Sequence, residues 1–284
     1  MTEILGIVGH PLGHSVSVPM QMSAIFKLGM DYVYMSFDIM PQDLSFAVQQ
    51  FKHEGLKGFN VTIPYKEAII PYLDDMDVKA HQIGAVNTVN REDGKLKGYN
   101  TDWLGYIHSL KQELDFNPSG KRAIIIGAGG ASKAVAFALL ESGINFLLIV
   151  NRSIARAESL SKHLGTYFKA SDIRVLPLDR INEVSNNRYD LIVNTTSVGM
   201  KESGSINIDF SRLKKDVIVS DIVYNPIETP FLKSAKQYGL KTHNGTGMLL
   251  YQGMESFRIW TGITPPVDVM REAMLNALKE HELL

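Results

Sequence analysis

The sequence predicts an α/β protein with mostly parallel sheets. Strand-like apolar segments alternate with amphipathic helix-like segments along all 284 residues, which is typical of parallel sheets joined by helical crossovers. A glycine-rich turn directly after a continuous apolar strand indicates where a second sheet begins in mid-chain. The length fits two domains of ordinary size, or one large domain.

The elements of the first hundred residues follow from periodicity and turn signals. Strands are predicted at 4–8, 32–39 and 58–63, and helices at 20–28 and after Pro41, which is well placed to open a helix. Asp93–Gly94 is a strong hairpin signal and predicts paired strands at 85–91 and 95–99. A long amphipathic helix is predicted from Asp102, with a buried stripe formed by Leu104, Ile107, Leu110 and Leu114.

The pattern changes after residues 118–120 (Pro-Ser-Gly) and then predicts a dinucleotide-binding, Rossmann-type domain. Strands are expected at 123–126, 146–150, 174–178, 190–194 and 217–221, with a helix at 133–141. The last helices, at 248–260 and 267–280, are expected to pack back on the first domain. The predicted domains are therefore 1–101 with 247–284 for substrate, and 102–246 for the dinucleotide, with the active site in the cleft between them.

Composition excludes several classes of function. The formal charge is −1, with Lys and Arg spread along the chain, so neither a nucleic-acid nor an anionic-membrane partner is expected. There is no cysteine, no apolar run of roughly 20 residues and no signal-peptide pattern, so a cytoplasmic protein is expected. The eight histidines lack metal-ligand spacing, and no metal is predicted. No motif encodes the oligomeric state, monomer or homodimer.

The glycine-rich turn is the main candidate for a ligand site. It consists of Gly127, Ala128, Gly129, Gly130 and Ala131, and it joins a predicted strand to a predicted helix. Glycine lets the backbone approach a pyrophosphate, and the helix N-terminus offers N–H groups and positive partial charge. Position 132 is serine, where the fingerprint has glycine or alanine. The alternative is a tight strand–helix turn that binds nothing.

The end of the next strand predicts which dinucleotide is used. An NAD site places Asp or Glu there, but residues 151–156 (Asn-Arg-Ser-Ile-Ala-Arg) contain no carboxylate. Arg152 and Arg156 offer guanidinium groups that match a 2′-phosphate. NADP is therefore predicted, with two solvated arginines at a helix start as the alternative.

Lys66 and Asp102 are candidates for acid/base chemistry. Taken singly, Lys66 is a solvated lysine at a strand end and Asp102 a helix N-cap. Their neighbourhood favours a site, because polar residues at predicted strand ends and turns fall on the same side of the first domain: Asn60, Thr62, Asn87, Thr88, Asn100 and Thr101. Such a cluster suits a polyhydroxylated ligand.

Two serines follow the first strand. Ser15 and Ser17 can bind a ligand carboxylate through their hydroxyls, or they can cap the next helix. His14, between them, is expected to be structural rather than catalytic.

Several motifs in order resemble the shikimate dehydrogenase family over nearly the whole chain. They are GHPLGHSVS (9–17), GFNVTIPYK (58–66), GAVNT (84–88), YNTD (99–102), GAGGAS (127–132), NRSIAR (151–156), NTTSVGM (194–200), SDIVYNP (220–226) and GMLLYQG (247–253).

The resemblance implies roles for individual residues. Lys66 and Asp102 correspond to the catalytic pair, and the substrate contacts are Ser15, Ser17, Asn60, Thr62, Asn87, Tyr224 and Gln252. The glycine turn is expected to hold the pyrophosphate. Contacts to the 2′-phosphate are expected from Asn151, Arg152, Ser153 and Arg156, and contacts to the nicotinamide end from Thr196, Ile222, Gly245 and Met248.

The chain departs from the family pattern at four places. Pro19 is shifted by one position, His10 replaces a usual asparagine, Trp103 stands where glycine is common, and Ser153 replaces a frequent threonine. A bulky side chain beside Asp102 either reshapes the pocket or packs between the domains.

The activity that the resemblance implies is reversible NADP-dependent reduction of 3-dehydroshikimate to shikimate, in aromatic amino-acid biosynthesis. Two alternatives stay open. One is a quinate/shikimate dehydrogenase with dual substrate or cofactor use, and the other is a non-catalytic, NADP-binding regulatory module.

Overall fold

A computed structural model describes residues 2–13, 15–184, 188–200 and 204–282. Only the backbone is described for residues 281 and 282. The chain forms two compact units. The N-terminal unit comprises Met1–Gly105 and Leu250–Leu284, and the central unit comprises Tyr106–Leu249. Each unit contains one six-stranded sheet with helices, so the predicted α/β class is confirmed. No helix in the described ranges has the length and apolar character needed to cross a bilayer.

The N-terminal unit has six strands and four helices before residue 101. In chain order these are β1 (Glu3–Gly9), α1 (Ser17–Lys27), β2 (Tyr32–Asp38), α2 (Leu44–Glu54), β3 (Gly58–Val61), α3 (Tyr65–Ala68), β4 (Asp75–Met76), α4 (Val78–Ile83), β5 (Thr88–Glu92) and β6 (Lys95–Tyr99). The sheet order is β2-β1-β3-β5-β6-β4. Strands β1, β2 and β3 are parallel, whereas β5 runs antiparallel to both β3 and β6.

The predicted hairpin between β5 and β6 is confirmed. Asp93 and Gly94 have φ of 49° and 78°, the left-handed pair that a type I′ turn requires. Beneath the sheet, Phe51 of α2 packs between Phe37 and Phe59, with ring centroids 4.8 and 5.2 Å away. These aromatic rings form the centre of the apolar core of this unit.

The next helix, α5 (Asp102–Leu114), starts in the N-terminal unit and ends in the central one. The central unit continues with β7 (Arg122–Ile126), α6 (Gly130–Glu141), β8 (Phe146–Asn151), α7 (Ile154–Gly165), β9 (Asp172–Pro177), β10 (Leu191–Asn194), β11 (Ile218–Asp221), α8 (Pro230–Gln237) and β12 (Lys241–His243). The chain closes with α9 (Thr246–Thr261) and α10 (Val267–Glu282), and α10 packs against α1 in the N-terminal unit.

The sheet of the central unit is wholly parallel, in the order β12-β11-β10-β7-β8-β9. This is the Rossmann strand order, with β7 as its first strand. The order reverses between β7 and β10, and ligands of such sheets bind outside the carboxyl ends of the strands at that reversal. The glycine turn lies directly after β7.

Two details of the N-terminal unit differ from the prediction. Helix α1 begins at Ser17 rather than near 20, because Pro19 lies in its first turn, where no intrahelical N–H bond is needed. Strand β5 begins at Thr88 rather than 85, since the Val86 N–H bonds instead to the Lys66 carbonyl at 2.7 Å. Residues 85 and 86 therefore lie outside the strand, whereas the Asn87 backbone still bonds to Val61 N at 2.8 Å and to the Tyr99 carbonyl at 3.1 Å.

The predicted buried stripe of α5 is only partly correct. Leu110 is buried, but Leu104, Ile107 and Leu114 are only partly so. The fully enclosed neighbours of Leu110 are Tyr106 and Ser109. Tyr106 and Ser109 form hydrogen bonds to other elements, described below. A search for apolar periodicity cannot detect a buried helix face that is partly polar.

Candidate active site

Lys66 and Asp102 form an ion pair in the N-terminal unit. Lys66 lies in α3, which follows β3, and Asp102 is the first residue of α5. Lys66 Nζ is 2.6 Å from Asp102 Oδ2, and the side chains are 16% and 4% exposed. A carboxylate so deeply buried requires a cationic or hydrogen-bonding partner, and Lys66 provides one.

The second oxygen of Asp102 is held by Asn87. Asn87 Nδ2 donates to Asp102 Oδ1 at 3.0 Å and lies 3.1 Å from Gln252 Oε1 of α9. In return, Asn87 Oδ1 accepts the backbone N–H of Thr101 at 2.6 Å. The structure thus brings together Lys66, Asn87, Asp102 and Gln252, four of the predicted site residues.

A second layer of polar groups lies against Asn87. Asn60 Nδ2 donates to the Asn87 carbonyl at 3.1 Å, and Asn60 Oδ1 accepts from Tyr34 OH at 2.7 Å. Burial raises the pKa of the Tyr34 phenol, which therefore stays protonated and donates. Ser256 Oγ of α9 lies 2.7 Å from Thr88 Oγ1. Tyr34 and Ser256 were not predicted, since each is an ordinary residue of a strand or helix.

The remaining predicted substrate residues have other contacts. Thr62 follows β3, and its methyl group lies where a Cβ on Gly9 would be. Ser15 Oγ accepts the Ser17 N–H at 3.3 Å, and the residue at the N-cap position of α1 is Val16. Tyr224 belongs to the central unit, and burial raises the pKa of its phenol.

Of the departures from the family pattern, two have clear partners. His10 Nδ1 lies 2.7 Å from Asp38 Oδ1, and this hydrogen bond lowers the pKa of the Asp38 carboxyl. The Lys79 ammonium of α4 lies 5.8 Å from the ring centroid of Trp103, a cation–π contact within the N-terminal unit. His14 is outside the described residues.

In the central unit, the space around the turn differs between Gly127 and Gly129. Gly127 has φ +126°, and a Cβ there would lie 2.6 Å from Thr195 Oγ1 and 2.7 Å from Ser132 Oγ. A Cβ on Gly129 would meet no atom within 4 Å, and its φ is −99°. Gly127 is therefore required by the fold, whereas Gly129 leaves an open place beside the first turn of α6.

The rest of the predicted phosphate cradle lies in the same short segment. Ala128 is buried, and Gly130 and Ala131 are the first residues of α6. Helix geometry leaves the N–H groups of such a first turn without an intrahelical acceptor, which suits an anion.

The predicted 2′-phosphate residues lie at the end of β8 and the start of α7. Asn151 Nδ2 donates to the Ser153 carbonyl at 2.9 Å and closes the turn. Arg152, Ser153 and Arg156 are exposed. An exposed turn with guanidinium groups and no carboxylate can accept a phosphate.

Three of the predicted nicotinamide-end residues are linked to each other by backbone contacts. Thr196 N and Ile222 N both bond to Asn194, at 3.0 Å each, through its Oδ1 and its carbonyl oxygen respectively. A Cβ on Gly245 would lie 2.0 Å from the Ile222 carbonyl, so only glycine fits there. Met248, the fourth, is buried near the start of α9.

A buried carboxylate supports this edge of the sheet. Asp221 accepts hydrogen bonds from Asn194 Nδ2 at 2.9 Å, Val223 N at 3.0 Å and Thr229 Oγ1 at 2.7 Å. Burial outweighs these bonds and raises the pKa of Asp221 to about 6. Sequence reasoning missed this role, although a carboxylate at a strand end is a recognisable signal.

A buried histidine links α5 to the end of β12. His243 Nε2 lies 2.6 Å from Ser109 Oγ, and Nδ1 lies 2.9 Å from Ser220 Oγ. Tyr106 OH donates to Ser220 Oγ at 3.3 Å. These bonds explain the buried polar face of α5.

The two units therefore offer complementary chemistry. One holds a largely buried lysine–carboxylate pair among amides and hydroxyls, and the other has a Rossmann sheet with a glycine turn after its first strand. Together these features define a dinucleotide-dependent oxidoreductase with a dedicated substrate unit.

Comparison with known proteins identifies the family. Residues 7–89 match the shikimate dehydrogenase substrate binding domain, residues 109–223 match shikimate/quinate 5-dehydrogenase, and residues 245–275 match the shikimate 5′-dehydrogenase C-terminal domain. The chain is 46% identical over 281 residues to the shikimate dehydrogenase (NADP(+)) of Geobacter metallireducens, covering 98% of both. The chain belongs to the shikimate dehydrogenase family.

Solved structures agree. A shikimate dehydrogenase in complex with NADP+ superposes with a TM-score of 0.90 at 40% identity, covering 98% of this chain and 96% of that one. A quinate dehydrogenase from Corynebacterium glutamicum in complex with NAD gives 0.88 at 33% identity, covering 97% and 99%.

Proposed function

We propose that this chain catalyses reversible reduction of 3-dehydroshikimate to shikimate, as a step of aromatic amino-acid biosynthesis. It is an oxidoreductase that uses NADP, as the full-length relatives at 40–46% identity do. The observation that carries the proposal is the buried Lys66–Asp102 ion pair, which lies among the amides and hydroxyls expected to contact the substrate.

Lys66 is proposed to exchange the proton. Its ammonium uses one N–H on Asp102, at 2.6 Å, and has further N–H donors for a substrate oxygen. In reduction, Lys66 Nζ donates a proton to the alkoxide that develops on the carbonyl oxygen, and in oxidation it takes the proton back. The positive charge also stabilises that oxygen while it is negative.

Asp102 is proposed to orient Lys66 and to share its charge. The carboxylate is itself fixed through Asn87 Nδ2 at 3.0 Å. Asn87 is in turn bound to the Thr101 backbone and to Asn60, so the carboxylate that holds the ammonium is itself fixed by a hydrogen-bonded network. Such support keeps a catalytic group close to its productive position.

The cofactor is proposed to bind along the carboxyl ends of β7, β8 and β10. When bound, NADPH supplies the hydride. The turn at 127–131 holds the pyrophosphate, the segment 151–156 holds the 2′-phosphate, and residues at Thr196, Ile222, Gly245 and Met248 surround the nicotinamide end. The open space at Gly129 and the exposed guanidinium groups support these assignments.

The substrate ring is proposed to be recognised by hydrogen bonds from Asn60, Thr62, Asn87 and Gln252. Its carboxylate is proposed to bind Ser15 and Ser17, with Tyr224 nearby. Asn87 and Gln252 are already in contact with each other, which supports a common site.

The Lys66→Ala variant tests the proposal. Turnover with shikimate and NADP+ should fall by roughly 10²- to 10⁴-fold, whereas the KM for shikimate should change much less. Lys52→Ala is a matched control, because Lys52 forms an ion pair of equal length, 2.6 Å, with Asp74 in the same unit. Unchanged turnover in Lys66→Ala would contradict the proposed mechanism.

Quinate and NAD+ are tested in parallel with shikimate and NADP+. The similarity to a quinate dehydrogenase solved with NAD supports dual use as the second candidate. Comparable rates with quinate would establish it. Cofactor binding without turnover on any of these substrates would instead favour a non-catalytic NADP-binding module.

A further inference from the structure

Ser132 departs from the dinucleotide fingerprint, and its hydroxyl takes part in a chain of buried hydrogen bonds. Gly129 N donates to Ser132 Oγ at 3.1 Å, and Ser132 Oγ lies 2.7 Å from Thr195 Oγ1. Thr195 Oγ1 donates in turn to the Ile126 carbonyl at 2.7 Å. Because Thr195 uses its proton on Ile126, Ser132 donates to Thr195, and every bond in the chain has one donor and one acceptor.

These two hydroxyls fill the space beside Gly127. A Cβ on Gly127 would lie within 2.7 Å of both hydroxyl oxygens, so the left-handed glycine is what lets them meet. On the other side, Gly127 N donates to the Val150 carbonyl of β8 at 2.8 Å. The turn is therefore bound to β10 on one side and to β8 on the other.

We propose that Ser132 and Thr195 are positioning residues for the pyrophosphate of NADP. The inference rests on the proposed function, in which this turn binds the pyrophosphate. A segment of adjacent glycines has many accessible conformations, and ordering it on binding weakens affinity. The hydroxyl chain holds the Gly129 peptide in place before the ligand arrives, so that the N–H groups of Gly130 and Ala131 already face the open side.

The test compares two ligands that share the 2′-phosphate. NADP+ carries the pyrophosphate and 2′-AMP does not. In Ser132→Ala and in Thr195→Val, the Kd for NADP+ should rise by roughly three- to tenfold, the range for one lost hydrogen bond. The Kd for 2′-AMP, measured by NMR titration, should stay within about twofold, a change smaller than one such bond gives.

Three further variants sharpen the test. Ser132→Ala combined with Thr195→Val should weaken NADP+ binding no more than the stronger single change, because both act through one chain of bonds. Thr195→Ser keeps the hydroxyl and should restore wild-type affinity. Ser109→Ala is the control, because it removes another fully buried hydroxyl of the central unit, far along the chain from the turn.

Steady-state kinetics of Ser132→Ala and Thr195→Val should likewise show an effect on NADP+ binding alone. The KM for NADP+ should rise, with kcat at saturation and the KM for shikimate unchanged. An equal loss of affinity for 2′-AMP, or an equal loss in Ser109→Ala, would overturn the inference, since either result indicates a general effect on the fold.

Gly129→Asp separates this inference from the proposed function. Its side chain would meet no protein atom near the Cβ, but its charge would repel a pyrophosphate. If Gly129→Asp keeps full NADP+ affinity, the pyrophosphate site itself is misassigned. If Gly129→Asp loses affinity while Ser132→Ala and Thr195→Val bind as wild type, the site stands and the positioning role fails.

Discussion

Replacement by alanine should affect stability at Gly127 but NADP+ binding at Gly129. Gly127→Ala places a methyl group within 2.7 Å of two buried hydroxyl oxygens, on a backbone with φ +126°. Backbone strain of this kind costs about 1–3 kcal/mol, and overpacking a buried site costs about as much again. The free energy of unfolding should therefore fall by about 2–6 kcal/mol.

Gly129→Ala should leave stability nearly unchanged. The backbone φ of −99° suits any residue, and nothing lies within 4 Å of the new Cβ. Replacement of glycine by alanine at a helix N-cap costs roughly 1 kcal/mol or less, and the reduced freedom of the unfolded chain offsets it by about 0.4–1 kcal/mol. The methyl group does, however, occupy the space proposed for the pyrophosphate, so the Kd for NADP+ should rise at least about tenfold.

Thermal unfolding with and without NADP+ measures both effects. For a unit the size of Tyr106–Leu249, each kcal/mol shifts Tm by roughly 2–4 °C. Gly127→Ala should thus unfold roughly 4–24 °C earlier, whereas Gly129→Ala should match the wild type without ligand and be stabilised less by the same concentration of NADP+. A Gly127→Ala variant of wild-type Tm, or a Gly129→Ala variant stabilised normally by NADP+, would refute the reasoning.

Three further predictions concern charges and their partners. Burial raises the pKa of Asp221 to about 6 from 3.8, so its contribution to stability is full below pH 3.8 and is lost as pH rises through about 6. Urea unfolding from pH 4.5 to 7.5 should show a loss of about 2 kcal/mol, out of about 3 kcal/mol over the whole titration, and Asp221→Asn should abolish it. Asn87→Leu removes the donor to Asp102 Oδ1. It should lower the free energy of unfolding, measured by chemical denaturation, by about 2 kcal/mol, and it should also lower kcat. Unchanged kcat would argue against a role for Asn87 in holding Asp102. Arg152→Asp should lower the ratio of kcat/KM for NADP+ to that for NAD+ by at least about tenfold, and unchanged preference in Arg152→Ala would argue against the 2′-phosphate assignment.

Local patterns predicted most of the fold. The apolar strand β7, the glycine turn and α6 are contiguous, so one short segment contains the whole pattern that predicts a dinucleotide-binding domain. The three-residue strand β12 and the four-residue helix α3 were not predicted, because segments so short have no periodicity and depend on tertiary contacts.

The sequence did not predict the hydrogen bonds that connect the candidate site residues. Asn87 was expected to contact substrate, yet its amide also holds Asp102 Oδ1 and the Thr101 backbone. Ser132 was recognised only as a departure from a motif, since its partner Thr195 lies 63 positions away. Hydrogen bonds between distant segments leave no local pattern in a single sequence.

The boundary between the units has a consequence for evolution and engineering. Domain boundaries usually fall in flexible linkers that tolerate insertions, but here they fall inside α5, after Gly105, and inside α9, after Leu249. One residue added within α5 would turn everything beyond it by about 100° and shift it by about 1.5 Å relative to Asp102. Exchange of central segments between relatives at these positions therefore demands junctions of conserved length and helical phase.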